Sequence, residues 1–125
     1  MTLKVLYVED ESDIRSVGTM AMEAIGGFTV QACASGAEAL AAAESFMPQL
    51  VVLDVMMPGM NGPETFKKLR EIPTTATTPI IFMTAKVQPA EVKDYMSMGA
   101  LGVIVKPFDP MTLASQILSL WEKKA

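Results

Sequence analysis

The sequence predicts an α/β fold in which βα units wind around a parallel sheet. Short apolar runs, each brief enough to be a buried strand, alternate with longer segments whose apolar residues recur at helical spacing. This alternation is typical of a parallel sheet that is covered by helices on both faces. Since 125 residues are the size of one domain, we predict a single domain over residues 1–125.

Five apolar runs are predicted to form the strands of this sheet. Each is short, rich in aliphatic residues, and bounded by polar or turn-forming residues. The predicted strands are residues 3–8, 28–33, 50–53, 79–83 and 102–105. The segment 71–78, EIPTTATT, is polar and broken by proline, and it is predicted to be a surface loop before the fourth strand.

Capping residues, prolines and glycines mark the ends of the predicted helices. The first helix is predicted over residues 12–25, with Gly26 and Gly27 ending it. Ser35 and Glu38 match a capping box for the second helix. A proline in the first turn opens the other three, at Asn61-Gly62-Pro63, Gln88-Pro89 and Asp109-Pro110. The face of the first helix that is expected to pack in the core carries Ile14, Val17, Ala21, Ala24 and Ile25.

Charge and hydropathy argue against several classes of protein. The net charge is −4 and the basic clusters are no longer than a pair, so direct binding to nucleic acid is not favoured. No apolar stretch approaches the roughly 20 residues of a membrane span, so no membrane partner is expected. The single cysteine, Cys33, cannot form an internal disulfide; we expect a small buried hydrophobe in a cytoplasmic protein.

Polar residues with complementary chemistry follow four of the predicted strands. The carboxyl ends of parallel strands share one edge of the sheet, where such folds bind their ligands. Carboxylates there can hold a hard divalent cation or act as a nucleophile, while a hydroxyl and an ammonium can bind phosphoryl oxygens. The residues are Glu9-Asp10 after LKVLYV, Asp54 after LVVL, Thr84-Ala85 after PIIFM and Lys106-Pro107 after GVIV.

Each of these residues also has a plain structural interpretation. Glu9 and Asp10 can be the solvated start of a helix, and Asp54 can cap the loop that follows it. A lone Thr84 at a strand end is usually structural, and a lone Lys106 is usually a solvated surface residue. Their joint occurrence favours one shared phosphoryl site over four unrelated features.

Together with the loop MMPGMNG after Asp54 and the KPF run at Lys106, these residues resemble the receiver domain of two-component response regulators. The resemblance runs from Val5 to about Trp121 and is to single-domain, chemotaxis-regulator-like members. It implies a flavodoxin-like (βα)5 doubly wound sheet with strand order 2-1-3-4-5. It also implies that Asp54 accepts a phosphoryl group from a phosphohistidine on a sensor histidine kinase or histidine phosphotransfer protein.

The resemblance assigns the remaining site residues. It implies Mg²⁺ as cofactor, held by Asp10, Asp54 and the main-chain carbonyl of Met56, with Glu9 reaching the ion through water. Thr84, Ala85 and Lys106 are implied to bind the phosphoryl oxygens, and the Lys106-Pro107 peptide bond is implied to be cis.

Three positions depart from the family pattern. Val103 stands where an aromatic ring often reports the position of the threonine hydroxyl. Met56, two residues after Asp54, cannot hydrogen-bond an attacking water, and Lys86 could bind the phosphoryl group or an acid of a kinase. The rate of hydrolysis and the output signal are therefore left open by the sequence.

We expect a stand-alone cytoplasmic receiver, a switch and not an enzyme, with an output face on the fourth helix, fifth strand and fifth helix. The enzyme alternative is a Mg²⁺-dependent phosphatase of the haloacid dehalogenase type. That class needs a second Asp two residues after the nucleophile, where this chain has Met56. The other alternative is a pseudo-receiver that binds partners without phosphate, against which Asp54, Thr84 and Lys106 argue.

Overall fold

The computed structural model describes residues 2–124, so the predicted limits of the domain, residues 1–125, lie one residue outside it at each end. Five parallel strands form its sheet: β1 Lys4–Val8, β2 Thr29–Cys33, β3 Leu50–Asp54, β4 Ile80–Thr84 and β5 Gly102–Val105. The order in the sheet is β2-β1-β3-β4-β5. The predicted fold class and strand order are confirmed.

The helices connect successive strands. They are α1 Ser12–Met20, α2 Gly36–Phe46, α3 Gly62–Arg70, α4 Pro89–Ser97 and α5 Leu113–Glu122. A π-helical turn, Ala21–Ile25, continues α1, and a 3-10 turn at Pro73–Thr75 lies between α3 and β4. Within residues 2–124, no helix combines the length and the apolar character needed to cross a membrane.

The sheet separates two apolar layers. One layer packs β1, β3, β4 and β5 against α5 and against the π-helical turn that continues α1. Tyr7, Met22 and Ile117 are among its buried residues. The other packs the opposite face against α2, α3 and α4, with Phe66 and Phe82 among its members. Because β3 and β4 are interior strands that are buried at every residue, the backbone that carries the polar groups at their ends is held rigidly.

The predicted inward face of α1 is partly wrong. Val17 and Ile25 are 44% and 49% exposed and Ala24 is exposed as well, whereas Gly18, Ala21 and Met22 are buried. Gly18 lies against the Tyr7 ring, and a Cβ on that glycine would collide with the Tyr7 hydroxyl. The large ring therefore takes the space that a large helical side chain would need, and the helix turns its smallest residue toward β1.

Two other segments differ from the prediction. Asp109-Pro110 forms a turn, and α5 begins at Leu113, whose N–H donates to the Asp109 carbonyl at 3.0 Å. The predicted surface loop 71–78 contains the 3-10 turn, in which Thr75 is fully buried and its hydroxyl donates to the Leu69 carbonyl at 2.5 Å. A short polar side chain can be buried when it forms a hydrogen bond with a main-chain carbonyl, and the composition of the segment does not reveal such a bond.

The predicted capping box of α2 is only half formed, because the Glu38 carboxylate accepts from the Ala34 N–H and not from the Ser35 N–H. The Ser35 hydroxyl accepts from the Glu38 N–H at 3.1 Å at the start of α2. At the start of α3, the Asn61 side chain accepts from the Glu64 N–H at 2.9 Å, and the Glu64 carboxylate accepts from the Asn61 N–H at 3.1 Å. This reciprocal pair fixes where α3 begins and hence the length of the loop after β3.

Candidate functional site

Backbone hydrogen bonds hold the ends of neighbouring strands in register at the edge where the polar residues were predicted. The Glu9 N–H donates to the Cys33 carbonyl at 3.0 Å, and the Lys106 N–H donates to the Thr84 carbonyl at 2.9 Å. Each bond lies just beyond a paired strand, so the side chains that follow start from fixed positions. The site is therefore built on the sheet and not on free loops.

Three carboxylates form a cluster at this edge. Glu9, Asp10 and Asp54 each place one carboxylate oxygen within 4.8 Å of the others. Glu9 is fully buried and Asp54 is 2% exposed, whereas Asp10 is partly exposed. Negative charges this close together and this shielded from water have to be balanced by a cation. Hard divalent ions prefer such oxygen ligands. The cluster thus fits a Mg²⁺-type ion.

Hydrogen bonds orient two of these carboxylates. Glu9 Oε2 accepts from the Glu11 N–H at 3.1 Å. Asp54 Oδ1 accepts from Lys106, while Asp54 Oδ2 is buried and has no hydrogen-bond partner among residues 2–124. A buried carboxylate oxygen without a partner is costly unless a ligand engages it.

Lys106 places a positive charge against two of these carboxylates. Its ammonium lies 2.7 Å from Glu9 Oε1 and 3.3 Å from Asp54 Oδ1. The side chain of Lys106 is 15% exposed, so both ion pairs are largely shielded from water. The Lys106-Pro107 peptide bond is cis. The lysine is therefore not the solvated surface residue that its sequence position alone would allow.

The surroundings shift the pKa of both groups. Burial, and then the charge of Glu9, raise the pKa of the Asp54 carboxyl to about 7, although Lys106 opposes them. Burial alone would lower the pKa of Lys106, but its hydrogen bond with Glu9 and the charges of Asp54 and Glu9 outweigh burial and raise it. Asp54 is therefore a carboxyl whose ionised form depends on nearby positive charge.

Thr84 ends β4 beside this cluster. It is 1% exposed, and its hydroxyl oxygen accepts from the Lys86 N–H at 3.0 Å. Because this bond uses a lone pair, the hydroxyl proton is left to donate. Ala85 and Lys86 follow as exposed residues in the loop between β4 and α4. Val103, on β5, is partly buried and offers no ring to this region.

The loop after Asp54 folds back on its own strand. The Gly62 N–H donates to the Val55 carbonyl at 2.9 Å, and a Cβ on Gly62 would collide with the Asp54 carbonyl oxygen. A glycine is therefore required where the start of α3 meets the end of β3. Met56, in the same loop, leaves 63% of its surface exposed.

Arg15 is a residue of the site that the sequence reasoning missed. It lies on α1, and its Nη1 donates to the Glu9 carbonyl at 2.9 Å and to the Asp10 carbonyl at 3.3 Å. The signal that could have identified it is an arginine one helical turn after Glu11, at the start of the helix that follows the acidic pair. An isolated arginine on a helix is ordinarily read as a surface residue.

Comparisons with known proteins identify the family and the fold. The response regulator receiver domain model matches residues 5–118. Among solved structures, chemotaxis protein CheY4 of Vibrio cholerae is 33% identical, with 96% of this chain and 99% of that chain covered and a TM-score of 0.88. A putative response regulator from Chloroflexus aurantiacus is 27% identical, with 98% and 100% covered and a TM-score of 0.86.

Several relatives among curated proteins are longer than this chain. The DNA-binding response regulator MtrA of Mycolicibacterium paratuberculosis is 32% identical over 117 residues, which are 94% of this chain and 50% of that protein. The probable transcriptional regulator ycf29 of Porphyra purpurea is 40% identical over 95 residues, which are 75% of this chain and 45% of that protein. The chain spans about half the length of these relatives. Because the family model matches most of its residues, the chain belongs to the response regulator receiver domain family.

Proposed function

We propose that this chain is a phosphoacceptor switch in which Asp54 receives a phosphoryl group from a phosphohistidine in a Mg²⁺-dependent reaction. The observation that carries the proposal is the Asp54 carboxylate: Oδ1 is paired with Lys106, and Oδ2 is buried without a hydrogen-bond partner in the described chain. Such an oxygen, beside two further carboxylates, is available to a cation or to an electrophilic phosphorus.

The transfer exchanges one bond for another. An oxygen of Asp54 forms a bond to phosphorus while the bond from phosphorus to the imidazole nitrogen breaks, and that nitrogen keeps the electron pair. Catalysis of such a step is mainly positioning and neutralisation of charge. We propose that the Lys106 ammonium, the Thr84 hydroxyl and the Ala85 N–H bind the phosphoryl oxygens. Lys106 already donates to Asp54, and the Thr84 proton is not used by the Lys86 contact.

We propose that Mg²⁺ is held by Asp10, Asp54 and the main-chain carbonyl of Met56, with Glu9 binding it through water. The close approach of the three carboxylates supports this assignment, because Mg²⁺ keeps several waters and needs few protein oxygens. A bound Mg²⁺ would supply positive charge to the phosphoryl oxygens. The ordering of Glu9 by Glu11 and Lys106 belongs to the chain itself and precedes any ion.

We propose a sensor histidine kinase or a histidine phosphotransfer protein as the phosphoryl donor, and a downstream protein as the receiver of the signal. The proposed output face consists of α4, β5 and α5. Every residue of α4 is at least partly exposed, and Val105 on β5 is 48% exposed.

DNA binding, named for longer relatives, is not carried over to a chain of net charge −4. The buried thiol of Cys33 suits a cytoplasmic location.

Phosphorylation in vitro tests the proposal. The protein is incubated with acetyl phosphate and Mg²⁺, and the modified peptide is trapped and mapped by mass spectrometry. We expect a single modification on Asp54, lost in Asp54→Ala. A label that persists in Asp54→Ala, or that maps to Thr84, would overturn the assignment. Turnover of a phosphate ester would favour the dehalogenase-type alternative, and a protein that takes no label would be a pseudo-receiver.

A further inference from the structure

The turn between β1 and α1 carries the acidic pair, and Arg15 spans it from the helix side. Arg15 Nη1 donates to the main-chain carbonyls of both Glu9 and Asp10, at 2.9 Å and 3.3 Å. These bonds go to the peptide groups of the two acids and not to their carboxylates. Arg15 is partly buried, and its main-chain N–H donates to the Glu11 carbonyl at 2.8 Å at the start of the helix. Arg15 is thus anchored to α1 and tied to both acids.

We propose that Arg15 is a positioning residue for the cation site. By holding the two peptide groups, it sets the direction in which the Glu9 and Asp10 side chains leave the backbone toward Asp54. The Glu11 N–H, which donates to Glu9 Oε2, completes the same turn. This inference rests on the proposed Mg²⁺ site.

The charge of Arg15 and its two hydrogen bonds predict opposite effects on Mg²⁺ affinity when Arg15 is replaced. The direction of the change in affinity therefore tests the inference. A guanidinium close to a cation site repels the cation, so removal of its charge alone would tighten Mg²⁺ binding. Loss of the two hydrogen bonds would instead loosen the turn and weaken Mg²⁺ binding, and partners that orient metal ligands are typically worth 10–100-fold in affinity. We expect the positioning effect to be the larger one.

Arg70 provides a matched control. Its Nη1 also donates to two main-chain carbonyls, those of Thr75 and Thr78, at 2.9 Å and 2.6 Å. It lies over the Phe66 ring, on the side of the sheet that packs against α3. Arg70→Met therefore removes the same kind of interaction outside the acidic cluster.

The experiment titrates MgCl₂ alone into wild type, Arg15→Met, Arg15→Lys, Arg70→Met and Asp10→Asn, and follows amide NMR shifts and thermal unfolding. We expect the Mg²⁺ dissociation constant of Arg15→Met to rise about tenfold. That of Arg15→Lys should rise less, because the lysine ammonium keeps part of the hydrogen bonding to the Glu9 and Asp10 carbonyls. That of Arg70→Met should not change although its stability falls. In metal-free buffer, the Glu11 amide proton should shift upfield in Arg15→Met and not in Arg70→Met.

An unchanged or lower Mg²⁺ dissociation constant in Arg15→Met would overturn the inference. If that variant does not fold, Arg15→Lys decides, and an unchanged dissociation constant in it has the same consequence. Asp10→Asn separates the two proposals: if it weakens binding while Arg15→Met does not, only the inference fails. If wild type itself binds no Mg²⁺, both fail.

Discussion

Lys106 Nζ lies 2.7 Å from Glu9 Oε1, which is closer than its 3.3 Å distance from Asp54 Oδ1. The lysine is therefore shared between the proposed phosphoacceptor and an acid that is also proposed to help bind Mg²⁺. Because Glu9 is fully buried, its charge has to be balanced by one cation or another. In this arrangement Lys106 and the divalent ion compete for part of the same negative charge.

This competition predicts that Lys106→Met binds Mg²⁺ more tightly than wild type, by about fivefold, or about 1 kcal/mol. In metal-free buffer the same variant should be less stable by about 2 kcal/mol, because two buried carboxylates lose their cation. The raised pKa of Lys106 keeps the lysine charged well above neutral pH, so wild type and variant are compared at one pH above 7, where Asp54 is ionised as well. Calorimetric titration with MgCl₂ and urea unfolding provide the two measurements.

Lys67→Met, at an exposed position on α3, is the control and should change neither quantity. Weaker Mg²⁺ binding in Lys106→Met would show that the lysine organises the cation site and does not compete with it.

The raised pKa of Asp54 predicts a stability that depends on pH. Because the carboxyl ionises at about 7 in the folded protein and near 4 in the unfolded chain, the folded state is penalised increasingly as pH rises from about 4 to about 7. Above that range the penalty is constant. Asp54→Asn should therefore have a larger free energy of unfolding than wild type at pH 8 without metal, by an amount on the order of 4 kcal/mol, and should lose this advantage at pH 4.

Thermal unfolding at several pH values with EDTA, and again with MgCl₂, measures this effect. Added Mg²⁺ should stabilise wild type and leave Asp54→Asn nearly unchanged. The control is Asp94→Asn on α4, which should follow wild type. An Asp54→Asn advantage that is equal at pH 4 and pH 8 would contradict the raised pKa.

Two glycines with different neighbours give a prediction about the loop beside Asp54. A Cβ on Gly62 would meet backbone, including Val55 Cα at 2.7 Å, whereas a Cβ on Gly102 would meet the end of the Leu120 side chain at 2.6 Å. Backbone cannot move aside as a leucine can. Gly62→Ala should therefore cost about 2–3 kcal/mol and slow phosphorylation, while Gly102→Ala should cost less and leave phosphorylation unchanged.

Urea unfolding and the rate of labelling by acetyl phosphate test both variants. Equal losses of stability, with normal labelling of Gly62→Ala, would mean that the loop adapts to the added methyl group.

The sequence predicted the sheet and the clustering of its polar ends well, because both depend on local patterns. Short apolar runs identified the strands, and the parallel arrangement then required Glu9, Asp54 and Lys106 to share an edge. The pairing of Lys106 with Glu9, 97 positions apart, could not be predicted, because it depends on the distances between side chains that three strands bring together.

Features that depend on which side chain packs against a helix could not be predicted from the sequence either. Helical periodicity shows that α1 has an apolar face but not how it is rotated, and the Tyr7 ring decided in favour of Gly18. Arg15 escaped notice because its acceptors are main-chain carbonyls, which carry no residue-specific signal. The later start of α5 has the same origin, since Asp109 accepts in a turn before the helix begins.

Phosphorylation of Asp54 is expected to reach α4 without an aromatic ring at position 103, where this chain has valine. Val103 is partly buried, and its short side chain cannot swing between buried and exposed positions as a large ring can. Thr84 instead holds the loop before α4 through the Lys86 N–H, and Phe82, on the same face of β4, packs its ring 5.0 Å from that of Tyr95 on α4. The switching element is therefore expected to be the Thr84-Ala85-Lys86 loop with the start of α4.

Thr84→Ala should accordingly abolish the response of α4 to beryllofluoride, a phosphoryl mimic, because the hydroxyl is the proposed link between loop and phosphoryl oxygen. Val103→Ala should lose about 1 kcal/mol of stability through lost packing and keep the response. Amide NMR shifts of residues 86–92, with and without beryllofluoride and Mg²⁺, measure it. Free energies of a few kcal/mol between two states suffice for such a switch, so the difference between the variants should be nearly complete. A folded Val103→Ala protein that no longer responds, beside a Thr84→Ala protein that still does, would place the relay in β5.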